Sequence, residues 1–250
     1  MAGHSHWANI SRKKAIIDNK RGKVWSKLAK NIMSAAKAGG GDPDANLRLR
    51  YAINDAKAIS MPRENIERAI KKGTGELEGG SLDEVLYEGY GPGGTAVLCE
   101  ILTDNRNRTA GEIRNIFDSC GGKLGATGCV GWMFERKGLF VVSGEKIGED
   151  ELLELALESG AEDVKHVDDK FEVTCDPTRF SDVAAALEAR QLEMDRREIA
   201  RIPTSTVDLD ADNGRKVLKL IEKLDDHDDV QSVASNFNIT EEAMAELGDG

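Results

Sequence analysis

Apolar residues within the first 76 positions recur every three or four residues, a spacing that predicts helices rather than strands. The first predicted helix has an apolar stripe formed by Leu28, Ile32, Ala35 and Ala36. It is expected to stop at the three glycines of 39–41, and Asp42 followed by Pro43 has the form of a helix start. A third helix is predicted between Pro62 and Gly73. Three short helices bury little surface, so we expect this unit to be marginally stable by itself.

A segment rich in Gly and Glu, 73–81, separates the helices from a region in which apolar and polar residues alternate. The alternation predicts two strands, 85–91 and 95–103, joined by a Gly-Pro-Gly-Gly connection. Thr109 and Glu112 then stand three residues apart, which is the spacing of a capping box. A helix is therefore predicted to begin at Thr109.

Residues 134–202 show strand and helix patterns in the order β-α-β-β-α-β, which is the order of a ferredoxin-like domain. The predicted elements are 139–142, 150–159, 163–167, 170–175, 181–190 and 196–202. A further helix and a short strand-like run, 230–237, follow this unit. The segments on either side of 134–202 are each incomplete, so we predict that they pair into one domain with the ferredoxin-like unit inserted.

Together these patterns predict an α+β fold of three domains. The predicted domains are a helical domain at 1–76, a discontinuous α+β domain at 77–133 and 203–250, and the ferredoxin-like domain at 134–202. No apolar run approaches the roughly 18 residues that span a bilayer, so we expect no membrane contact. The four cysteines show no C-x-x-C spacing and are expected to be free thiols. With no apolar signal segment visible, we predict a cytoplasmic protein.

The net charge of −11 conceals a strong segregation of charge along the chain. Residues 1–75 hold 16 Lys/Arg against 6 Asp/Glu, a net of +10, which leaves −21 for the remainder. A basic segment on an acidic body is attracted to polyanions, while the body is repelled by them. Asp18 is the only acidic residue before position 42.

This basic segment is the first candidate site, because dense Lys and Arg side chains neutralise phosphates and release counterions. The predicted nucleic-acid-binding residues are Trp7, Arg12, Lys13, Lys14, Lys20, Arg21, Lys23, Lys27 and Lys30. The structural alternative is a solvated helix face, although such faces usually mix both signs of charge.

Arg106 and Arg108 form a possible secondary anion site, because they stand just before a predicted helix whose free N–H groups favour anions. In the alternative interpretation, this segment is a turn and both arginines pair with nearby carboxylates.

No grouping typical of an enzyme is recognisable. The Gly-x-Gly-x-x-Gly run at 89–94 is followed by a strand rather than a helix, so it lacks the helix start that receives a pyrophosphate. The acidic run around His227, 225–229, is more typical of a solvated loop than of a cation site. We therefore predict no catalysis, no resident metal ion and no cofactor.

The chain closely resembles the YebC/PmpR family, whose mitochondrial relative is a translational activator of cytochrome c oxidase. The motifs that carry the resemblance are Met-Ala-Gly-His-Ser at 1–5, Trp-Ala-Asn-Ile at 7–10, Lys-Arg-Gly-Lys at 20–23, Gly-Gly-Asp-Pro-Asp-Ala-Asn at 40–46, Tyr-Glu-Gly-Tyr-Gly-Pro-Gly-Gly at 87–94 and Asp-Asn-Arg-Asn-Arg-Thr at 104–109. One departure is His6, which stands where the family usually has a basic residue.

The resemblance implies a three-domain fold and a regulator of gene expression. Family members are described as transcriptional regulators that bind promoter DNA, and this is the function we place first. They are also described as ribosome-associated translation factors, which makes RNA binding the alternative. A protein-interaction scaffold that recruits partners through the acidic domains is a third hypothesis.

Overall fold

The computed structural model describes residues 21–78, 81–167, 169–240 and 243. It begins with three helices, α1 (Arg21–Gly39), α2 (Leu47–Ala58) and α3 (Arg63–Thr74), as the apolar spacing predicts. Their apolar stripes meet in one small core, whose buried members are Ile32, Ala35, Ala36, Leu49, Ala52, Ile53, Ala56, Met61, Ile66 and Ala69.

Two predicted helix ends in this unit are wrong. Asn46, rather than Asp42, caps α2: its side chain accepts a hydrogen bond from the Leu49 N–H at 3.1 Å. The helix α3 continues past Gly73 to Thr74, and Gly75 ends it with a left-handed φ of 83°. A Cβ on Gly73 would lie 2.4 Å from the carbonyl oxygen of Met33, so this glycine allows α1 and α3 to pack closely.

A four-stranded antiparallel sheet follows, formed by β1 (Asp83–Tyr90), β2 (Ala96–Thr103), β3 (Lys123–Leu124) and β9 (Val230–Ser235). The strand order in this sheet is β3-β1-β2-β9. Two helices, α4 (Arg106–Ser119) and α7 (Ala211–Asp225), contribute to the core beneath the sheet. A short parallel pair, β8 (Val207–Leu209) with β10 (Phe237–Ile239), lies beside α7.

The start of α4 also differs from the prediction. Asn105 caps the helix by accepting a hydrogen bond from the Arg108 N–H at 3.1 Å, so the helix begins one turn before Thr109. Thr109 is fully buried, and its hydroxyl bonds inward instead of capping. The capping-box prediction at Thr109 and Glu112 is therefore wrong.

Between β3 and β8 the chain forms the ferredoxin-like unit. Its elements are β4 (Phe134–Ser143), α5 (Glu149–Ser159), β5 (Ala161–Val167), β6 (Lys170–Cys175), α6 (Phe180–Ala189) and β7 (Met194–Pro203). The sheet order β5-β6-β4-β7, antiparallel throughout, confirms the predicted β-α-β-β-α-β fold.

The pairing of β2 with β9 joins the segments that flank the ferredoxin-like unit. This pairing supports the predicted discontinuous domain, and the exact boundaries stay predictions. The fold class is α+β, with a helical N-terminal region followed by mixed helix and sheet. All four cysteines are free thiols, as predicted.

Candidate nucleic-acid interface

The predicted interface is only partly within the described residues. Trp7, Arg12, Lys13, Lys14 and Lys20 lie outside them. Arg21 is the first residue of α1, and its side chain is also outside the described part. The structure therefore locates three of the predicted side chains, those of Lys23, Lys27 and Lys30, which we call the lysine row.

The lysine row contacts the acidic loop, which we define as residues 225–229. Lys23 Nζ donates to the carbonyl oxygen of Asp226 at 2.8 Å, and Lys27 Nζ donates to that of Asp225. Lys30 Nζ donates to the carbonyl oxygen of Asp228 at 3.0 Å. The final carbonyls of α7 have no partner within the helix and carry partial negative charge, which suits ammonium donors.

Asp229 is the centre of this contact and is only 3% exposed. Its carboxylate accepts from Lys30 at 2.5 Å, Thr109 at 2.7 Å, Arg108 at 3.0 Å and Thr103 at 3.1 Å. Burial by itself raises the pKa of the Asp229 carboxyl, but the bonds from Lys30, Thr109 and Arg108 outweigh it and hold that pKa well below its usual range. The helical unit is thus anchored to the α+β body by a buried, charge-assisted network.

The possible secondary anion site lies in the first turn of α4. Arg106 Nε is 3.7 Å from a carboxylate oxygen of Asp83, and Arg108 is 2.7 Å from one of Asp104 as well as bonding Asp229. Both arginines pair with carboxylates, as the alternative interpretation expects. An anion site here stays a prediction, and its cations already have partners.

Sequence reasoning missed a second group of cations, on the last two turns of α3. Arg68, Lys71 and Lys72, which we call the α3 patch, are exposed. Their spacing of three and four residues makes them neighbours on the helix surface. Unlike the lysine row, they form no ion pair or side-chain hydrogen bond with any described residue. Cations near a helix C-terminus also favour the helix dipole, so the pattern alone does not prove a binding role.

A cavity of about 630 Å³ lies where the helical unit, the first sheet and the ferredoxin-like unit meet. Its charges are internally compensated: Arg48 pairs with Glu84 at 2.8 Å, and Arg201 with Glu100 at 3.2 Å. The cavity is therefore a polar seam between domains rather than a concentrated anion site.

Glu112, His227 and Asp229 are close enough to be considered as a cation-binding group. Glu112 instead bonds His227 Nε2 at 2.8 Å, and His227 Nδ1 accepts from the Asp229 N–H at 3.1 Å. The cations of Lys30 and Arg108 already contact Asp229, and they would repel a metal ion. The geometry therefore favours an anchoring role for this loop.

Comparison with known protein families also separates the helical unit from the rest of the chain. Residues 5–76 match the family model of the TACO1/YebC protein N-terminal domain, and residues 82–237 match that of the TACO1/YebC second and third domain. None of the helices in the described residues is long and apolar enough to cross a membrane.

Similar proteins cover the chain almost completely. A probable transcriptional regulatory protein of Rhodopirellula baltica is 56% identical over 98% of this chain and 100% of its own length. A protein of the same description from Geobacter sulfurreducens is 53% identical over 99% of this chain and 100% of its own. The crystal structure of a conserved hypothetical protein from Aquifex aeolicus has a TM-score of 0.85 and 49% identity, covering 95% of this chain and 98% of that one.

Proposed function

We infer that this chain, which belongs to the TACO1/YebC family, is a nucleic-acid-binding regulator of gene expression. Relatives of the same length named as probable transcriptional regulatory proteins support this function. We place transcriptional regulation through DNA first, for the same reason. Translation regulation through RNA at the ribosome is the second candidate, favoured by a cation-rich site of the type that contacts phosphates rather than base edges.

The observation that carries the proposal is that two groups of cations in the helical unit differ in whether they have partners within the protein. The lysine row is committed to the acidic loop, whereas the α3 patch is exposed and unpaired within the described residues. We propose that the lysine row anchors and orients the unit. Nucleic-acid contacts then fall to the α3 patch and to residues preceding the row, which are Trp7, Arg12, Lys13, Lys14, Lys20 and Arg21.

The negative charge of the acidic body favours one orientation of the protein relative to an approaching nucleic acid. With a net charge of −21 after residue 75, the body is repelled by a polyanion that the basic unit attracts. We propose that the helical unit, rather than the body, therefore makes the first contact with nucleic acid. We also propose that the protein acts in the cytoplasm by binding and turns over no substrate.

The test is an affinity measurement on matched charge reversals. In one variant, Lys13, Lys14, Lys20 and Arg21 become Glu; in the control, four exposed cations of the body, Lys146, Lys165, Arg215 and Lys219, become Glu. Both variants change the net charge equally. Fluorescence anisotropy with labelled DNA and RNA should show loss of binding in the first variant only.

Equal losses in both variants would show that overall charge, not the basic unit, controls the affinity. An unmodified protein that binds neither DNA nor RNA would favour the scaffold hypothesis. Crosslinking followed by sequencing of the bound nucleic acid separates the first two candidates: promoter DNA supports transcription, and ribosomal RNA supports translation.

A further inference from the structure

Trp132 is the most exposed large hydrophobic side chain among the described residues, at 75%, and Tyr90 beside it is 44% exposed. Both rings are nevertheless held in place. Trp132 Nε1 donates to the carbonyl oxygen of Cys129 at 3.2 Å, and the Tyr90 hydroxyl donates to the same oxygen at 3.1 Å. The polar edges of the two rings are therefore satisfied within the protein, while most of the Trp132 surface remains in water.

The glycine-rich loop that leads into Trp132, residues 125–131, is held in place by hydrogen bonds to Glu88. This carboxylate is 3% exposed and accepts from the N–H groups of Gly128 at 2.7 Å, Val130 at 2.9 Å and Gly131 at 2.6 Å. Burial alone raises the pKa of the Glu88 carboxyl, but these three bonds outweigh it and hold that pKa below its usual range. The loop is thus held in this conformation by three hydrogen bonds to one buried carboxylate.

An exposed tryptophan on a rigid support is typical of a preorganised contact. Leaving so large an apolar ring in water forgoes stabilisation, whereas fixing its orientation in advance reduces the entropy lost on binding. The loop that precedes it consists mainly of Gly, Ala and Thr and therefore adds little aliphatic surface beside the ring. A protein interface would need roughly 800 Å² of complementary surface from each partner.

The chemistry around the rings instead fits a flat, anionic partner. Lys123 is exposed and lies directly opposite Tyr90 in the β1–β3 ladder. Aromatic faces stack on unpaired bases, and a neighbouring cation contacts the backbone phosphate. Duplexes keep their bases stacked inside, so they cannot use such a platform in the same way.

The platform and the anchored helical unit lie at opposite ends of the same sheet. Tyr90 ends β1, whereas Asp83 begins it opposite Thr103, which bonds Asp229 beneath the lysine row. Seven residue steps along a strand correspond to about 24 Å. A single strand of several nucleotides is long enough to span that distance.

We propose that Trp132 and Tyr90 form a stacking platform for unpaired bases of a single-stranded nucleic acid whose backbone is held by the basic helical unit. This inference rests on the proposed function, because the helical unit supplies most of the affinity. It adds a preference for single strands, which phosphate contacts alone do not provide.

The test compares Trp132→Ala with Trp132→Phe, using a 15-nucleotide single strand and the corresponding duplex. The Ala variant should bind the single strand about 10-fold more weakly, because stacking on one base contributes about that factor. Its affinity for the duplex should change less than two-fold, and the Phe variant should retain most single-strand affinity. Leu157→Ala, at another exposed hydrophobic position, is the matched control and should bind like the unmodified protein.

Unchanged single-strand binding by Trp132→Ala would overturn the platform, and an exposed ring serving a protein partner would give that result. Equal weakening for single strand and duplex would also overturn it, because stacking on unpaired bases is then not involved. If the unmodified protein binds no nucleic acid, the proposed function itself fails, which is a different outcome. Thermal unfolding should be unchanged in all variants, because the Trp132 ring is exposed.

Discussion

The lysine row and the α3 patch belong to the same small helical unit and carry the same kind of charge, yet their surroundings differ. Each amine of the row contacts an oxygen of the acidic loop, and Lys30 also pairs with a buried carboxylate. The three cations of the α3 patch face solvent without a partner in the described chain. Positive charge along a sequence therefore does not by itself identify the cations that lack a partner within the described residues.

The difference follows from what lies opposite each group. The end of α7 presents carbonyls without helical partners, and Asp229 sits buried behind them. A buried carboxylate needs cations and hydroxyls around it, which the lysine row and α4 supply. No such acceptor in the described residues faces the α3 patch, so its cations remain available to an external anion.

The largest expected effect comes from removing the centre of the anchor. Asp229→Ala leaves Lys30 and Arg108 without their shared carboxylate and should lower the free energy of unfolding by about 3–5 kcal/mol. Urea denaturation measures this loss. Asp228→Ala is the control, because Asp228 is exposed and contributes its backbone carbonyl, which the substitution retains. It should change stability by less than about 0.5 kcal/mol, and similar losses in both variants would contradict the anchor.

A smaller loss of stability is expected from the lysine row itself. Changing Lys23, Lys27 and Lys30 to Ala removes three donors to the acidic loop and should lower the free energy of unfolding by about 2 kcal/mol, since the row is partly exposed. The same change at Arg68, Lys71 and Lys72 should cost less than about 0.5 kcal/mol. The free energy of unfolding of both variants is measured by urea denaturation. Equal losses would show that the lysine row and the α3 patch do not differ in their contribution to stability.

The loss of stability at acidic pH provides another test of the anchoring role of Asp229. The folded Asp229 carboxyl has a pKa below its unfolded value, so its contribution is complete above that unfolded value, near pH 4, and is lost as the pH falls further. Between pH 5 and pH 3 the loss from this group should be about 1 kcal/mol. The free energy of unfolding, measured over this pH range, should fall less steeply in Asp229→Asn than in the unmodified protein. Identical pH slopes in the two proteins would show that Asp229 does not cause the effect.

Much of the architecture was accessible from sequence because long elements impose a regular apolar spacing. The three helices and the ferredoxin-like order are predicted in this way. The strands β3, β8 and β10 are only two or three residues long, too short for any periodicity, and form because a neighbouring strand is present. The helix starts at Asn46 and Asn105 were missed because nearby Asp42 and Thr109 are equally plausible caps by residue type.

The candidate site was harder to predict from the sequence than the fold, for a physical reason. The segregation of charge is visible in the sequence, but the lysine row meets acceptors about 200 positions away, and only the folded chain brings them together. Likewise, a tryptophan between Gly131 and Met133 gives no local sign of being exposed. Contacts between distant segments decide which cations are occupied, and residue type alone does not.

The most direct test of the account is the salt dependence of nucleic-acid affinity in two variants of equal charge. One variant changes Arg12, Lys13 and Lys14 to Gln, and the other changes Lys23, Lys27 and Lys30 to Gln. The affinities of both are measured under conditions in which circular dichroism shows that the variants are folded. Each lost phosphate contact reduces the slope of log affinity against log salt by about 0.7–0.9. We expect the first variant to lose about two units of slope and the second to keep that of the unmodified protein. A lysine-row variant that loses the slope while the other keeps it would contradict the anchoring role.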